Sequence, residues 1–137
     1  MCFASDASQM GTWKLNEAKS KFAPGASKNT TVVYEAAGDQ VKVTTDGTDS
    51  AGNPTHSEWT GKFDGKFYPV TGDPNVDERS YKMVNGRTMD LATRKGGKVV
   101  ATGQIVVAAD GKSRTVTIHQ NDSMGKKATS TAVYDKQ

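Results

Sequence analysis

Glycine paired with Asp, Asn or a second glycine recurs between short runs of alternating apolar and polar residues, and this punctuation most narrows the folds open to the chain. Asp64-Gly65, Asn85-Gly86, Gly96-Gly97 and Asp110-Gly111 read as two-residue hairpin turns, because such turns need positive φ, which glycine adopts without strain. Gly38-Asp39, Gly52-Asn53 and Met124-Gly125 read as slightly longer turns, and the stretch from Thr71 to Val76 as one larger loop. Ten runs lie between these breaks. They predict strands at 11–15, 29–36, 40–48, 54–63, 66–70, 77–84, 87–95, 98–108, 112–121 and 126–135. A short helix is expected from Asn16 to Phe22, with Asn16 as its cap and Pro24-Gly25 as its stop.

Hairpins without crossovers make antiparallel neighbours, and ten strands left open would expose long unpaired edges. Closure resolves this. The expected fold is all-β, an antiparallel up-and-down barrel of about 8–10 strands, with at most one short helix after the first strand. The 137 residues suit one domain, residues 11–137, preceded by residues 1–10 as a separate leader. An apolar content of only 34% implies a thin core, and the abundant Thr and Val favour strands.

Alternation sorts each strand into two faces. The inward set expected from it is Trp13 and Leu15, Val41 and Val43, Trp59 and Phe63, Tyr81 and Met83, Met89 and Leu91, Val116 and Ile118, and Tyr134. Two strands resist sorting. In 29–36, Val32 with Tyr34 competes with Thr31 and Val33, and 98–108 is apolar on both faces, so its outer side is expected to be covered by the N-terminal segment or a partner.

The net charge of +3 is spread along the chain with acids interleaved, a pattern that does not suit nucleic acid. With Cys2 as the single cysteine and two histidines, an internal disulfide is excluded and a Cys/His zinc site is poorly supplied. No run approaches the ~20 apolar residues of a membrane span. No cofactor is implied, and a monomer is expected. Met1-Cys2-Phe3-Ala4-Ser5-Asp6 resembles the end of a signal peptide and points to a secreted or periplasmic protein. An ordinary disordered terminus, or a lipidated Cys2, are the alternatives.

Gly11-Thr12-Trp13-Lys14-Leu15 carries a further signal. A Gly-x-Trp opening on the first strand of a meandering barrel resembles the calycins, the lipocalins and fatty-acid-binding proteins, in which that tryptophan closes one end. The ten-run rhythm and the closing Ala132-Val133-Tyr134-Asp135-Lys136 are more similar to the fatty-acid-binding branch. That resemblance implies a carboxylate clamp of two arginines and a tyrosine, of which only Tyr134 matches. Val106 and Ala132 stand where the arginines belong, and the segment between the first two strands is too short for the family's helix pair. The chain also resembles small exported bacterial lipocalin-like proteins of unknown function, through Gly-Thr-Trp-Lys-Leu-Asn and Tyr68-Pro69-Val70-Thr71-Gly72.

Arg79 shares parity with Tyr81 and Met83, so this register points it inward, where a guanidinium needs an anionic partner or ligand. A one-residue slip would turn it outward, and Asp77 is the alternative partner. Trp13, Trp59, Phe63, Tyr81, Met89 and Tyr134 are candidate walls for a flat or apolar ligand, with Gln104 as a candidate orienting amide; core packing explains the aromatic set equally well. His56-Ser57-Glu58 offers base, nucleophile and acid types, yet on a strand His56 and Glu58 share one face and Ser57 the other. His119 alternates away from Val116 and Ile118 and is expected in solvent. Asp73-x-Asn75-x-Asp77 partly matches a calcium loop but lacks its glycine and its final acid. Three functions compete: binding or transport of a small, partly apolar ligand with Arg79 as an anion anchor; an ester or phosphoester hydrolase at the barrel mouth, with or without a metal held by Asp73, Asn75 and Asp77; and a structural envelope protein with a filled core. No nucleophile elbow or phosphate loop supports catalysis.

Overall fold

The computed structural model describes residues 9–23, 26–121 and 125–137. Ten strands follow one another: β1 (Gly11–Lys21), β2 (Lys28–Ala37), β3 (Gln40–Thr48), β4 (Pro54–Gly61), β5 (Tyr68–Thr71), β6 (Glu78–Met83), β7 (Thr88–Lys95), β8 (Lys98–Val107), β9 (Ser113–Asn121) and β10 (Lys127–Lys136). Each pairs antiparallel with its neighbours in sequence, and β1 pairs with β10, so the sheet closes on itself. The expected all-β, up-and-down barrel is the fold observed. The leader residues expected to come from a signal peptide, Met1 to Asp6, lie outside the described residues, as do Pro24, Gly25 and Met124.

The expected helix from Asn16 to Phe22 is instead the second half of β1. Asn16 does bond its own turn, accepting from the Lys19 amide at 3.3 Å as a cap would, but the chain stays extended. The reason lies across the barrel. β10 needs a partner over its full length, and its pairing with β1 skips from Asn16↔Val133 to Lys21↔Thr131. Within that bulge Ser20 substitutes for the lost ladder bonds: its hydroxyl accepts from the Val133 amide at 2.9 Å and donates to the Asn16 carbonyl at 2.7 Å. A helix here would leave β10 a free edge.

The turns sort differently from their dipeptides. Gly96-Gly97 is a two-residue hairpin between the paired Lys95 and Lys98, with φ of +59° and +80°. Gly38-Asp39 is equally short, joining the paired Ala37 and Gln40 with positive φ at Gly38 only. Asn85-Gly86 is not a two-residue turn. Strand pairing ends at Met83↔Met89, and Asn85 Oδ1 accepts from the amides of Arg87 and Thr88, so its side chain shapes a wider turn. Asp110-Gly111 likewise sits in a longer loop closed by the Ala108 amide on the Ser113 carbonyl. Asp64-Gly65 falls inside the connection from Gly61 to Tyr68, where Asp64 bridges to Lys82 of β6.

The inward faces agree with the alternation. Trp13, Val41, Val43, Trp59, Tyr81, Met89, Val116 and Tyr134 are buried, with Leu15, Phe63, Met83, Leu91 and Ile118 packed against them. β2 turns Val32 and Tyr34 inward, and β8 turns in Ala101, Ile105 and Val107. On β8, Val99, Val100 and Val106 are exposed among the described residues.

One end of this barrel is packed shut. Trp13 and Met89 are fully buried, and the Trp13 indole N–H donates to the Gln9 carbonyl at 2.9 Å, which holds buried Gln9 against the barrel floor. The other end, which carries the β3–β4, β5–β6 and β7–β8 connections and the described parts of the β1–β2 and β9–β10 connections, is open among the described residues.

Candidate functional site

Strand alternation continues to the open end, but the inward residues change character on the way. Val41 and Val43 lead to Thr45, Met89 and Leu91 to Thr93, Ile118 to Gln120, and Ala132 to Ser130. Shorter and more polar side chains leave space between opposite walls. The result is a cavity of about 450 Å³, in the range that holds a drug-sized molecule. Val32, Leu91, Ile105, Val116, Ile118 and Tyr134 form much of its apolar wall. The interior is therefore not filled, contrary to the filled-core expectation.

Arg79 points inward as its parity requires and lines this cavity. Its Nη1 donates to the Tyr81 hydroxyl at 3.1 Å, and its guanidinium lies 5.8 Å from the Tyr81 ring centre. Asp77 is not its partner. Asp77 instead accepts from the Gly96 amide, and no carboxylate among the described residues pairs with Arg79. Asp73 lines the rim nearby, and its charge reaches Arg79.

A second interior cation escaped the sequence reading. Arg114 on β9 is only 3% exposed, with its guanidinium 4.8 to 5.1 Å from the ring centres of Tyr134, Tyr34 and Trp13. Its Nη1 donates to the Tyr34 hydroxyl at 2.8 Å and reaches Gln9 Oε1 at 3.5 Å, while its Nε has no hydrogen-bond partner. The signal was available. Arg114 shares parity with Val116 and Ile118, the same argument that turned Arg79 inward, and Tyr34 belonged to the strand whose face alternation left open.

The expected aromatic wall divides into two layers. Tyr81 and Tyr134 line the cavity, whereas Trp59 and Phe63 stack at 6.3 Å and pack behind Tyr81, whose ring meets that of Trp59 edge-on at 4.7 Å. The Trp59 indole is held by the Arg79 carbonyl at 2.9 Å. Trp13 and Met89 belong to the closed floor. Gln104 is turned outward, donating to Asp90 at 3.2 Å, so it is not an orienting group of the cavity; Gly103 and Ile105 hold the other parity. Burial holds the Tyr81 phenol well above its ordinary range and pushes Tyr134 up to about 12, so both remain O–H donors at neutral pH.

The other candidate residues lie elsewhere. His56 is on the outer surface between Asp46 Oδ1 at 2.6 Å and Glu58 Oε2 at 3.1 Å, and these carboxylates, Asp46 foremost, raise its pKa. Ser57 faces the interior, so His56 and Glu58 have no nucleophile from this motif, and neither lines the cavity. His119 is exposed and bonds Thr129. Asp73 accepts from the Asn75 amide and Asp77 from Gly96, so both carboxylates are engaged by loop backbone. No group of three or more His, Cys, Asp or Glu among the described residues is arranged to hold a metal ion. No helix of the described chain is long and apolar enough to cross a membrane.

No protein-family model matches the chain, and no curated protein matches it either. Solved structures do. EF1p2_mFAP2b, in a structure with bound DFHBI, is similar over 98% of each chain, with 12% identity and a TM-score of 0.56. The redesigned β-barrel mFAP1, also bound to DFHBI, matches over 98% of this chain and 100% of its own with 17% identity and a TM-score of 0.49. Lobster apocrustacyanin A1 matches over 96% of this chain and 62% of its own, with 13% identity and a TM-score of 0.47. At these identities the likeness is one of fold alone, a closed antiparallel β-barrel.

Proposed function

We propose that this protein binds and carries a small, partly apolar ligand in the open half of its barrel, with Arg79 drawing a negative group toward the wall. The observation that carries this reading is the cavity of about 450 Å³, open at one end and lined by aliphatic and aromatic side chains around an inward guanidinium with no carboxylate bonded to it. Apolar burial favours a ligand at roughly 25 cal/mol per Å² removed from water. The guanidinium adds preference for an anion, because a charge-assisted bond in a partly dry site is stronger than in water. The DFHBI-bound EF1p2_mFAP2b barrel accords with such use of the fold.

Native mass spectrometry of the gently isolated protein, joined to titration with neutral N-phenyl-1-naphthylamine, tests the reading. A one-to-one complex with the probe is expected, with Arg79→Met leaving its affinity within about twofold, since neutral ligands do not use the charge. Absence of both probe binding and any co-purified molecule would refute it. The same proposal places the carrier outside the cytoplasm, and an N-terminus close to Ser5 on the mature exported protein is the expected finding.

A further inference from the structure

We infer that the ligand's charged oxygen is held by the hydroxyls of Tyr34 and Tyr81 together, each backed by an interior guanidinium, so that the cavity selects organic monoanions such as carboxylates or sulfonates on a compact apolar body. This rests on the cavity-binding reading above and adds its recognition chemistry.

The argument starts from hydrogen-bond direction. A guanidinium can only donate, so in the pairs Arg79–Tyr81 and Arg114–Tyr34 the phenol oxygen accepts. Each phenol then has its own hydrogen left to give, and neither hydroxyl has an acceptor among the described residues. Tyr134 differs. Its hydroxyl is spent on the Asn29 carbonyl at 2.7 Å. Donation from a cation polarises a phenol and strengthens its O–H as a donor, so the two arginines act through the two tyrosines.

The pairs converge. The Tyr34 and Tyr81 rings meet edge-on with centres 6.4 Å apart, both residues line the cavity, and the charges of Arg79 and Arg114 both reach the Tyr81 phenol. Thr93, on the same cavity wall, adds a buried hydroxyl with no partner. The deep wall is thus rich in donors and carries two positive charges without a bonded carboxylate. A ligand group that only accepts, and is negative, complements it better than an ammonium group, which would meet the two guanidinium charges. Arg114 also lines the cavity, but, wrapped by three rings and 3% exposed, it acts chiefly as a positioning residue that sets the Tyr34 hydroxyl.

The test uses two probes of nearly one shape, 1-anilinonaphthalene-8-sulfonate and the uncharged N-phenyl-1-naphthylamine, against wild type, Tyr34→Phe and Tyr81→Phe. Each substitution removes one hydroxyl and keeps the ring, and thermal unfolding of the same samples reports whether the fold is retained. Loss of a hydrogen bond to a charged group should weaken the sulfonate about tenfold or more, with the neutral probe within about twofold of wild type. Arg114→Lys, which keeps the charge but not the fork that holds Tyr34, should weaken the sulfonate as well. If both probes bind and neither Tyr variant discriminates between them, the phenol pair is overturned while the carrier reading stands. If the wild type binds neither probe, the carrier reading falls and takes the phenol pair with it.

Discussion

The two ends of the barrel are built from the same strands yet follow opposite rules. At the closed end the inward positions are large: Trp13 and Met89 are fully buried, and Gln9, bonded to the Trp13 indole, is buried with them. At the open end the same strands turn in Thr45, Thr93, Ala101, Gln120 and Ser130, and the space they leave is the cavity. Strand parity decides which residues point inward; side-chain volume along that parity decides whether the interior is solid or hollow. Stability should therefore be concentrated at one end and ligand binding at the other.

The largest effect expected from this division is at the floor. Trp13→Ala removes the largest side chain of the packed end along with its bond to Gln9, and should cost about 3–5 kcal/mol in chemical denaturation. Thr93→Val, at the open end, deletes a buried hydroxyl that has no partner and should stay within about 1 kcal/mol of wild type. Comparable losses in the two variants would erase the distinction between the ends.

A smaller effect is expected where the aromatic layer meets the backbone. A methyl group on Gly61 would sit 2.5 Å from the Tyr68 ring and 2.8 Å from that of Trp59, and Tyr68 is tethered by its hydroxyl to Asp64 at 2.8 Å. Gly61→Ala should cost about 1–3 kcal/mol through overpacking, measured by the same denaturation. A neutral result would show that the Trp59 layer is free to shift.

The smallest effect belongs to the outer surface. Asp46 and Glu58 raise the pKa of His56, so the favourable contribution of this cluster is fully present below the ordinary histidine pKa and is lost as pH rises through the raised one. Proton NMR should place the His56 midpoint above that of a free imidazole, and Asp46→Asn should move it down. Ligand affinity should not follow this titration, since His56 faces away from the cavity.

Much of this architecture is legible in the sequence because β periodicity is strict. The run 40–48 is matched by β3 at both ends, and the inward set is recovered because one apolar face is buried on nearly every strand. What alternation could not supply were decisions made by distant partners. Asn16 carries a helix cap's chemistry, but the demand of β10 for a neighbour overrides it. Asn85-Gly86 has tight-turn residues, but the Asn85 side chain bonds the backbone of Arg87 and Thr88 instead. For the site, parity alone turns Arg79, Tyr81 and Tyr134 inward, whereas the face of Gln104 stays open in the sequence because β8 is apolar on both faces, and its bond to Asp90 settles it. Arg114 carries the same parity as Val116 and Ile118, and its interior position becomes legible only once Tyr34, on a strand whose face alternation leaves open, is seen to turn inward to meet it.

The most direct test of a hollow end and a solid end is an amide NMR titration of the protein with N-phenyl-1-naphthylamine. The expected result is saturable, one-to-one shift changes centred on Arg79, Tyr81, Leu91, Thr93, Ile118 and Tyr134, with Trp13 and Met89 little moved. Changes confined to the exposed valines of β8, or spread evenly over both ends, would contradict the account.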